Sequence, residues 1–293
     1  MKTHVLIVPV LMALCIFAAC SKTDSGSPDT GTKIDSSKCL LTSVDYKSEA
    51  EMPYYRDPFT LSYDSLRRLT GMINRGFTSK YSYEPGKMVQ RVFLGNNTVD
   101  SNLVERLIYV LDQNNRVLHY SRAYYNKPDS EDDYNGKDSI SYVYDAEGYL
   151  TNLKYYVDGR LLSAETIYTY QNGNLTQRRD IRYEYYKTPA VVIGDDLYKF
   201  TYDNSDWYPE AAYLYELELG NNATIITGKP NKNNVTGITC KVYNFYNPEP
   251  FAYTSIQYAY TTYGKKLIKA DMTATTTKGT TIKTPITFGY LCK

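Results

Sequence analysis

Ten residues, Ser141 to Leu150, constrain the fold of this chain more than any other stretch; they read S-Y-V-Y-D-A-E-G-Y-L. Tyr142 and Tyr144 stand two apart and share one face of a strand, while Val143 points to the other. Asp145 is placed to accept hydrogen bonds from backbone N–H groups just ahead of it, which favours a turn. Gly148 follows three residues later, where a type I turn closing in a left-handed residue demands positive φ. Tyr149 to Tyr156 then alternates imperfectly as a return strand. The stretch is a hairpin with a glycine bulge.

Partial copies recur along the chain. Tyr63-Asp64 is followed by Leu66 and Leu69, and Tyr81-Ser82-Tyr83-Glu84-Pro85-Gly86 keeps the tyrosine pair and the glycine. Tyr109-Val110-Leu111-Asp112 carries Asn114-Asn115 at its turn, and asparagine tolerates the left-handed region. Tyr168-Thr169-Tyr170-Gln171-Asn172-Gly173 is the cleanest second copy; Phe200-Thr201-Tyr202-Asp203-Asn204 and Tyr258-Ala259-Tyr260 with Gly264 are looser. The second tyrosines step by 20 from Tyr63 to Tyr83, 26 from Tyr144 to Tyr170 and 32 from Tyr170 to Tyr202. Such spacing suits one or two strands and a variable loop per unit, that is, successive hairpins rather than a rigid solenoid. Pro189 to Asp196 and Asn204 to Pro209 read as loops, Tyr213 to Leu219 as a strand, and Lys266, Ile268, Ala270, Met272 and Ala274 as one face of a later strand. No segment keeps a helical period over three turns. The fold class expected is all-β: an antiparallel meander forming a long curved sheet or a closed, water-soluble barrel.

The Tyr-x-Tyr-Asp-x-x-Gly-x-Leu pattern resembles the tyrosine–aspartate (YD) repeats of large bacterial surface and toxin-shell proteins. Together with the N-terminal signal below, it is similar to a family of Bacteroidota lipoproteins of unknown function with a porin-like β fold. The resemblance covers residues 39 to 290 and implies a fold and an address, with no catalytic residues to carry over. A membrane-crossing wall is not what the residues suggest. On one strand Thr176, Arg178, Asp180, Arg182 and Glu184 share a face, opposite Gln177, Arg179, Ile181, Tyr183 and Tyr185. A face with both signs of charge wants water, since Arg or Lys at mid-bilayer costs about 2–4 kcal/mol.

The front end reads as targeting. Lys2 precedes an apolar run, Val5 to Ala19, too short to span a membrane. It ends in Phe17-Ala18-Ala19-Cys20, which resembles a lipobox with Phe17 in place of the usual leucine. Residues 1–19 are therefore expected to be a lipoprotein signal and Cys20 the lipidated residue; the alternative is an ordinary signal peptide. Ser21 to Ser37 is Ser/Thr/Asp/Gly-rich with little to bury, so 20–37 reads as a disordered tether and 38–293 as one domain. The expected address is the outer membrane, held by the N-terminal lipid, on either of its faces. Of five cysteines, Cys39, Cys240 and Cys292 remain in an oxidising compartment, either as one pair with one thiol or as three buried thiols.

Tyrosine is in excess, with 33 copies against 8 Phe and 1 Trp. Its ring covers a pleated surface while its hydroxyl reaches a polar partner. A net charge of +1 gives no long-range field for nucleic acid. His119 is the single histidine after the signal, and no nucleophile elbow accompanies it. Zinc would want more His or Cys, and no cofactor is expected. The loop 126–136 with Asp129, Glu131, Asp132 and Asp133, and Asp138 beyond it, could hold calcium but lacks EF-hand spacing. The leading expectation is non-catalytic binding or scaffolding, with a glycan or a protein as the ligand. Trp207, Tyr208, Tyr124, Tyr125, Tyr185 and Tyr186, at strand ends or in loops, are the candidates to stack on a glycan, or alternatively to close the core. A hydrolase using two carboxylates drawn from Asp195, Asp196, Asp203, Asp206, Glu210 and Glu216 is the alternative, and a YD-like shell or adhesin fragment is a third. Asp64-Ser65-Leu66 and Asp138-Ser139-Ile140 also resemble short O-glycosylation acceptors.

Overall fold

The computed structural model describes residues 39–46, 58–74, 76–125, 137–208, 228–241 and 253–292. The signal, Cys20 and the tether lie outside the described residues, as do Asp129, Glu131, Asp132, Asp133, Glu210, Glu216 and the strand expected over residues 213–219. Sixteen strands succeed one another: β1 (Leu40–Tyr46), β2 (Phe59–Tyr63), β3 (Leu69–Asn74), β4 (Phe77–Glu84), β5 (Lys87–Leu94), β6 (Leu103–Leu111), β7 (Val117–Tyr124), β8 (Lys137–Tyr144), β9 (Leu150–Val157), β10 (Leu161–Gln171), β11 (Asn174–Glu184), β12 (Val191–Asp206), β13 (Asn233–Lys241), β14 (Tyr253–Tyr263), β15 (Lys266–Thr276) and β16 (Thr281–Leu291). Each pairs antiparallel with its neighbours in the chain, and β1 pairs with β16, so the sheet closes into a barrel and no edge is left to aggregate. A Cys39–Cys292 disulfide, with Cα atoms 4.0 Å apart, ties the seam. Cys240 remains a thiol, and burial pushes its pKa up to about 11, which makes it inert. Among the described residues the one further regular element is a 3-10 turn at Asp100–Asn102.

The repeated motif builds one end of the barrel. At each of three turns an aspartate starts the same device: Asp64, Asp112 and Asp145 give their N–H to the residue four ahead and accept the N–H of the residue three ahead. Those third residues, Arg67, Asn115 and Gly148, all have positive φ. The aspartate side chain adds bonds from the N–H of Leu66 and Arg68, of Asn114 and Arg116, and of Tyr149. Arg68 and Arg116 return along their turns to pair with Asp64 at 2.8 Å and Asp112 at 2.7 Å. They cover the rings of Tyr83 and Tyr144, each 4.6 Å from the centroid. We call this the tight-turn end; β1 begins and β16 finishes there.

Past most of these turns the returning strand carries one extra residue: Thr70, Leu118, Thr151, Thr176, Thr236 and Ile268 each sit where the register slips. A bulge of this kind breaks the regular ladder beside the carbonyl that precedes it. Tyrosine hydroxyls from the next strand find five of these carbonyls. Tyr83 donates to Leu69 at 2.9 Å, Tyr144 to Val117 at 2.7 Å, Tyr202 to Leu175 at 2.5 Å, Tyr260 to Val235, and Tyr290 to Leu267 at 2.5 Å. The second tyrosine of the motif is therefore a latch: its ring fills the core and its hydroxyl satisfies a bulge carbonyl. Burial holds the phenols of Tyr83, Tyr144, Tyr202 and Tyr260 above their usual pKa.

The interior is apolar and aromatic. One cluster gathers Val44, Phe200, Val235, Leu267, Met272 and Ile286; the other gathers Met88, Leu107, Tyr109, Val117, Tyr142 and Leu153. Leu69 and Met72 from β3 and Tyr168 from β10 pack against both. Outside, β15 turns Lys269, Asp271, Thr273 and Thr275 to solvent while Ala270, Met272 and Ala274 face in. Ile268, expected to share the face of Ala270, is 38% exposed, and Leu267 lies fully buried in its place. The bulge at Ile268 shifts the alternation by one. Along β15 the apolar residues thus face in and the polar ones out, the reverse of a lipid-facing strand.

Two expectations are corrected. Residues 189–196 and 204–209 were expected as loops, yet β12 runs unbroken from Val191 to Asp206. Its β-branched start pairs with Tyr183 and Glu184, and Asp195 and Asp196 each find an arginine. The charged face of β11 is not the outer one either: it faces inward, with the Arg182 side chain 43% exposed and Arg178 only 4% exposed beside Tyr168. Ion pairing inside the wall replaces hydration there.

Candidate functional site

The end opposite the tight turns carries the hairpins β3–β4, β5–β6, β7–β8, β9–β10 and β11–β12. Four of the six aromatic candidates lie there. Tyr124 ends β7 and turns inward, donating its hydroxyl to Asp138 at 3.1 Å with the Arg122 guanidinium 4.7 Å over its ring. Tyr125, 41% exposed, is pinned by its N–H to the Val104 carbonyl. Tyr185 and Tyr186 follow β11 edge to face, 5.6 Å apart, and Tyr186 is 71% exposed with its hydroxyl on Glu184. Phe77 and Leu94, in register across β4 and β5, add exposed apolar surface on the same rim.

Trp207 and Tyr208 lie at the tight-turn end instead. They pack partly buried against the first cluster, with the Trp207 N–H on the Lys232 carbonyl and the Tyr208 N–H on Asn234. The returning chain around them is tied beneath neighbouring turns by Lys229 to Gly148, Lys232 to Gly173 and Asn231 to Leu175. A methyl at Gly228 would lie 2.7 Å from the Gly148 carbonyl, so this approach admits no side chain. Both aromatics pack against the core from this end.

Below the rim the inner wall is polar, which residue-by-residue reading did not anticipate. Glu105 holds Arg122 through both oxygens, at 2.6 and 3.2 Å. Asp138, 6% exposed, accepts the hydroxyls of Tyr124 and Tyr155, and burial with this carboxylate beside it pushes the Tyr155 phenol up. Burial pushes Tyr120 up to about 12. Farther round, Asp180 and Asp196 are direct neighbours on β11 and β12, held by Arg178 at 2.6 Å and Arg182 at 2.9 Å. Gly194 makes room for that arginine; a Cβ there would stand 2.6 Å from the Arg182 guanidinium. The signal for this belt was present as charge at alternate strand positions, but alternation alone does not say which face is inside.

The remaining candidates distribute as follows. Asp195 pairs on the outer wall with Arg179 at 2.6 Å, and Asp203 caps the N–H of Ser205. Every carboxylate of the inner belt described above is bonded to arginine or tyrosine. His119 lies on the outer face of β7 between Val110 and Ser141. Among the described residues no three His, Cys, Asp or Glu side chains gather as a metal site. Ser65 sits exposed in its turn, whereas Ser139 is 8% exposed within β8 and shut off from modification.

No family model and no curated protein matches the chain. Solved structures do. A porin-like protein from Bacteroides uniformis ATCC 8492 shares 14% identity over 86% of this chain and 98% of its own, with a TM-score of 0.55. A porin-like protein from Bacteroides vulgatus ATCC 8482 shares 11% identity over the same fractions, with a TM-score of 0.53. At these identities the likeness is one of fold: the chain is a sixteen-stranded barrel similar to these porin-like proteins.

Proposed function

We propose that this chain is a lipid-anchored protein of the outer membrane that binds an extracytoplasmic ligand, a glycan, without catalysis. The observation that carries the reading is that exposed Tyr125 and the exposed pair Tyr185 and Tyr186 stand on the same rim, four strands apart, above a wall of arginines, carboxylates and phenols. Aromatic faces stack on sugar C–H surfaces, and fixed polar groups sort the hydroxyls. The lipobox-like Phe17-Ala18-Ala19-Cys20 supports the anchor. The polar outward face of β15 and the ion pairs Arg179–Asp195 and Lys154–Glu165 on the outer wall support a barrel held beside the membrane rather than in it.

Residues 38–293 contain the closed sheet, both core clusters and the seam disulfide, so they serve as the soluble test protein. On a glycan array, binding that Tyr185→Ala/Tyr186→Ala lowers at least tenfold and Tyr125→Ala weakens supports the reading (about 1.4 kcal/mol or more). Binding indifferent to all three moves the site off the rim. An array without signal removes the glycan.

A further inference from the structure

In a sheet, like charges directly opposite one another destabilise the ladder. The barrel contains two such alignments. Asp180 and Asp196 face each other on the inner wall, and the chain answers them with Arg178 and Arg182. The other is on the outer wall: Lys80 of β4 opposes Arg91 of β5, which opposes Arg106 of β6. Three cations thus stand side by side across three strands, at the inter-strand spacing of about 4.8 Å. Lys80 and Arg91 are exposed. Among the described residues none of the three has a carboxylate within ion-pair distance. The Nε of Arg106 is fully buried and takes no partner, whereas Arg179 on the same outer wall is held by Asp195 and the inner-wall Arg122, Arg178 and Arg182 each find a carboxylate. Elsewhere on the outer wall Lys154 meets Glu165 and Lys269 meets Asp271, while Lys199 and Lys283, which among the described residues also have no acid within ion-pair distance, stand opposite neutral residues rather than in a row of cations.

A fold that neutralises one like-charge alignment and leaves the other bare leaves a vacancy for anions. We infer that Lys80, Arg91 and Arg106 form a binding row for a linear polyanion, namely an acidic polysaccharide with its carboxylates or sulfates spaced along the chain. The geometry selects this class over two others. A single phosphate wants convergent donors, whereas these stand in a line on a convex wall. A membrane surface would want exposed apolar side chains directly beside the cations, yet the flanking outward residues Val89 and Phe93 are 5% and 3% exposed, and the exposed Phe77 and Leu94 lie at the rim, away from the row. The row lies on the wall and not on the rim, so it stands or falls independently of the neutral-glycan reading.

The test uses residues 38–293 and three probes: polygalacturonate, neutral dextran, and vesicles of anionic phospholipid. Expected are binding to polygalacturonate that weakens with salt, no binding to dextran, and none to vesicles. Lys80→Ser/Arg91→Ser should lose about tenfold or more in affinity while Lys80→Arg/Arg91→Lys stays near wild type. Arg91→Glu gives a second readout, because it turns two repulsions into two attractions: the melting temperature should rise as binding disappears. Equal binding by the Ser/Ser variant, binding to vesicles instead of polysaccharide, or a lower melting temperature for Arg91→Glu would each overturn the inference. So would binding that emerges only after Asp129, Glu131, Asp132 and Asp133 are changed to Asn or Gln, since the anions would then be the chain's own.

Discussion

The tyrosine latch makes a quantitative claim that a single oxygen atom can test. Tyr144→Phe removes the hydroxyl that donates to Val117 at 2.7 Å and leaves the ring under Arg116. Val117 is 1% exposed, so water has little access to replace the lost donor. A buried carbonyl deprived of its partner costs about 1–3 kcal/mol, against at most a few tenths for a hydroxyl already in water. At about 2–4 °C per kcal/mol for a domain of this size, the melting temperature should fall by roughly 3–9 °C. The matched control is Tyr125→Phe, at a position 41% exposed, where no change beyond about 0.5 kcal/mol is expected. Urea unfolding of residues 38–293 followed by circular dichroism would report both, with the midpoint moving and the slope m unchanged. The reasoning is refuted if Tyr144→Phe unfolds within about 0.5 kcal/mol of wild type; the ring alone would then matter, and the repeated spacing of second tyrosines would need another cause. Tyr202→Phe and Tyr290→Phe, which release Leu175 and Leu267, should behave alike.

Other outcomes follow from the same geometry. Gly148→Ala forces a side chain to φ +94° with Arg116 Nη1 3.2 Å from the new carbon, and should cost about 1–3 kcal/mol by thermal melting. Cys39→Ser or full reduction removes a cross-link spanning 253 residues; chain entropy sets an upper bound of roughly 5 kcal/mol, read as a melting difference with and without reductant. Acid should unfold the turns early. Burial tends to raise the Asp112 carboxyl, but the Arg116 and Asn114 N–H groups and the Arg116 guanidinium outweigh it, and Asp64 is lowered chiefly by the Arg68 N–H. Both groups hold protons less readily folded than unfolded, so stability should be flat above about pH 5 and fall as pH drops through the carboxylate range below 4. Asp112→Asn should flatten that fall.

How much of this was legible beforehand depends on whether a residue's role is local. Asp64, Asp112 and Asp145 cap their turns through atoms two to four residues away, and the left-handed position falls three residues after each, so the spacing alone identified the hairpins. Closure between β1 and β16 joins Leu40 to Leu291 across the whole chain, and no local pattern distinguishes that from an open sheet. The pairing of Cys39 with Cys292, rather than with Cys240, was settled by the same closure. The candidate site divided likewise. Sequence named Tyr124, Tyr125, Tyr185 and Tyr186 as strand-end aromatics together with Trp207 and Tyr208, but only the up-and-down order puts the first four on one rim and the last two at the other end.

Side-chain alternation is set by the covalent backbone, so the sequence by itself determined that Arg178, Asp180 and Arg182 share a face. Which face lies inside is set by the direction in which the whole sheet curls, a property of all sixteen strands together. Only the tertiary structure therefore turned those charges into a paired belt on the inner wall and aligned Lys80, Arg91 and Arg106 across the outer one. Opposition across strands depends on register, and register is fixed by bulges and turns many residues away.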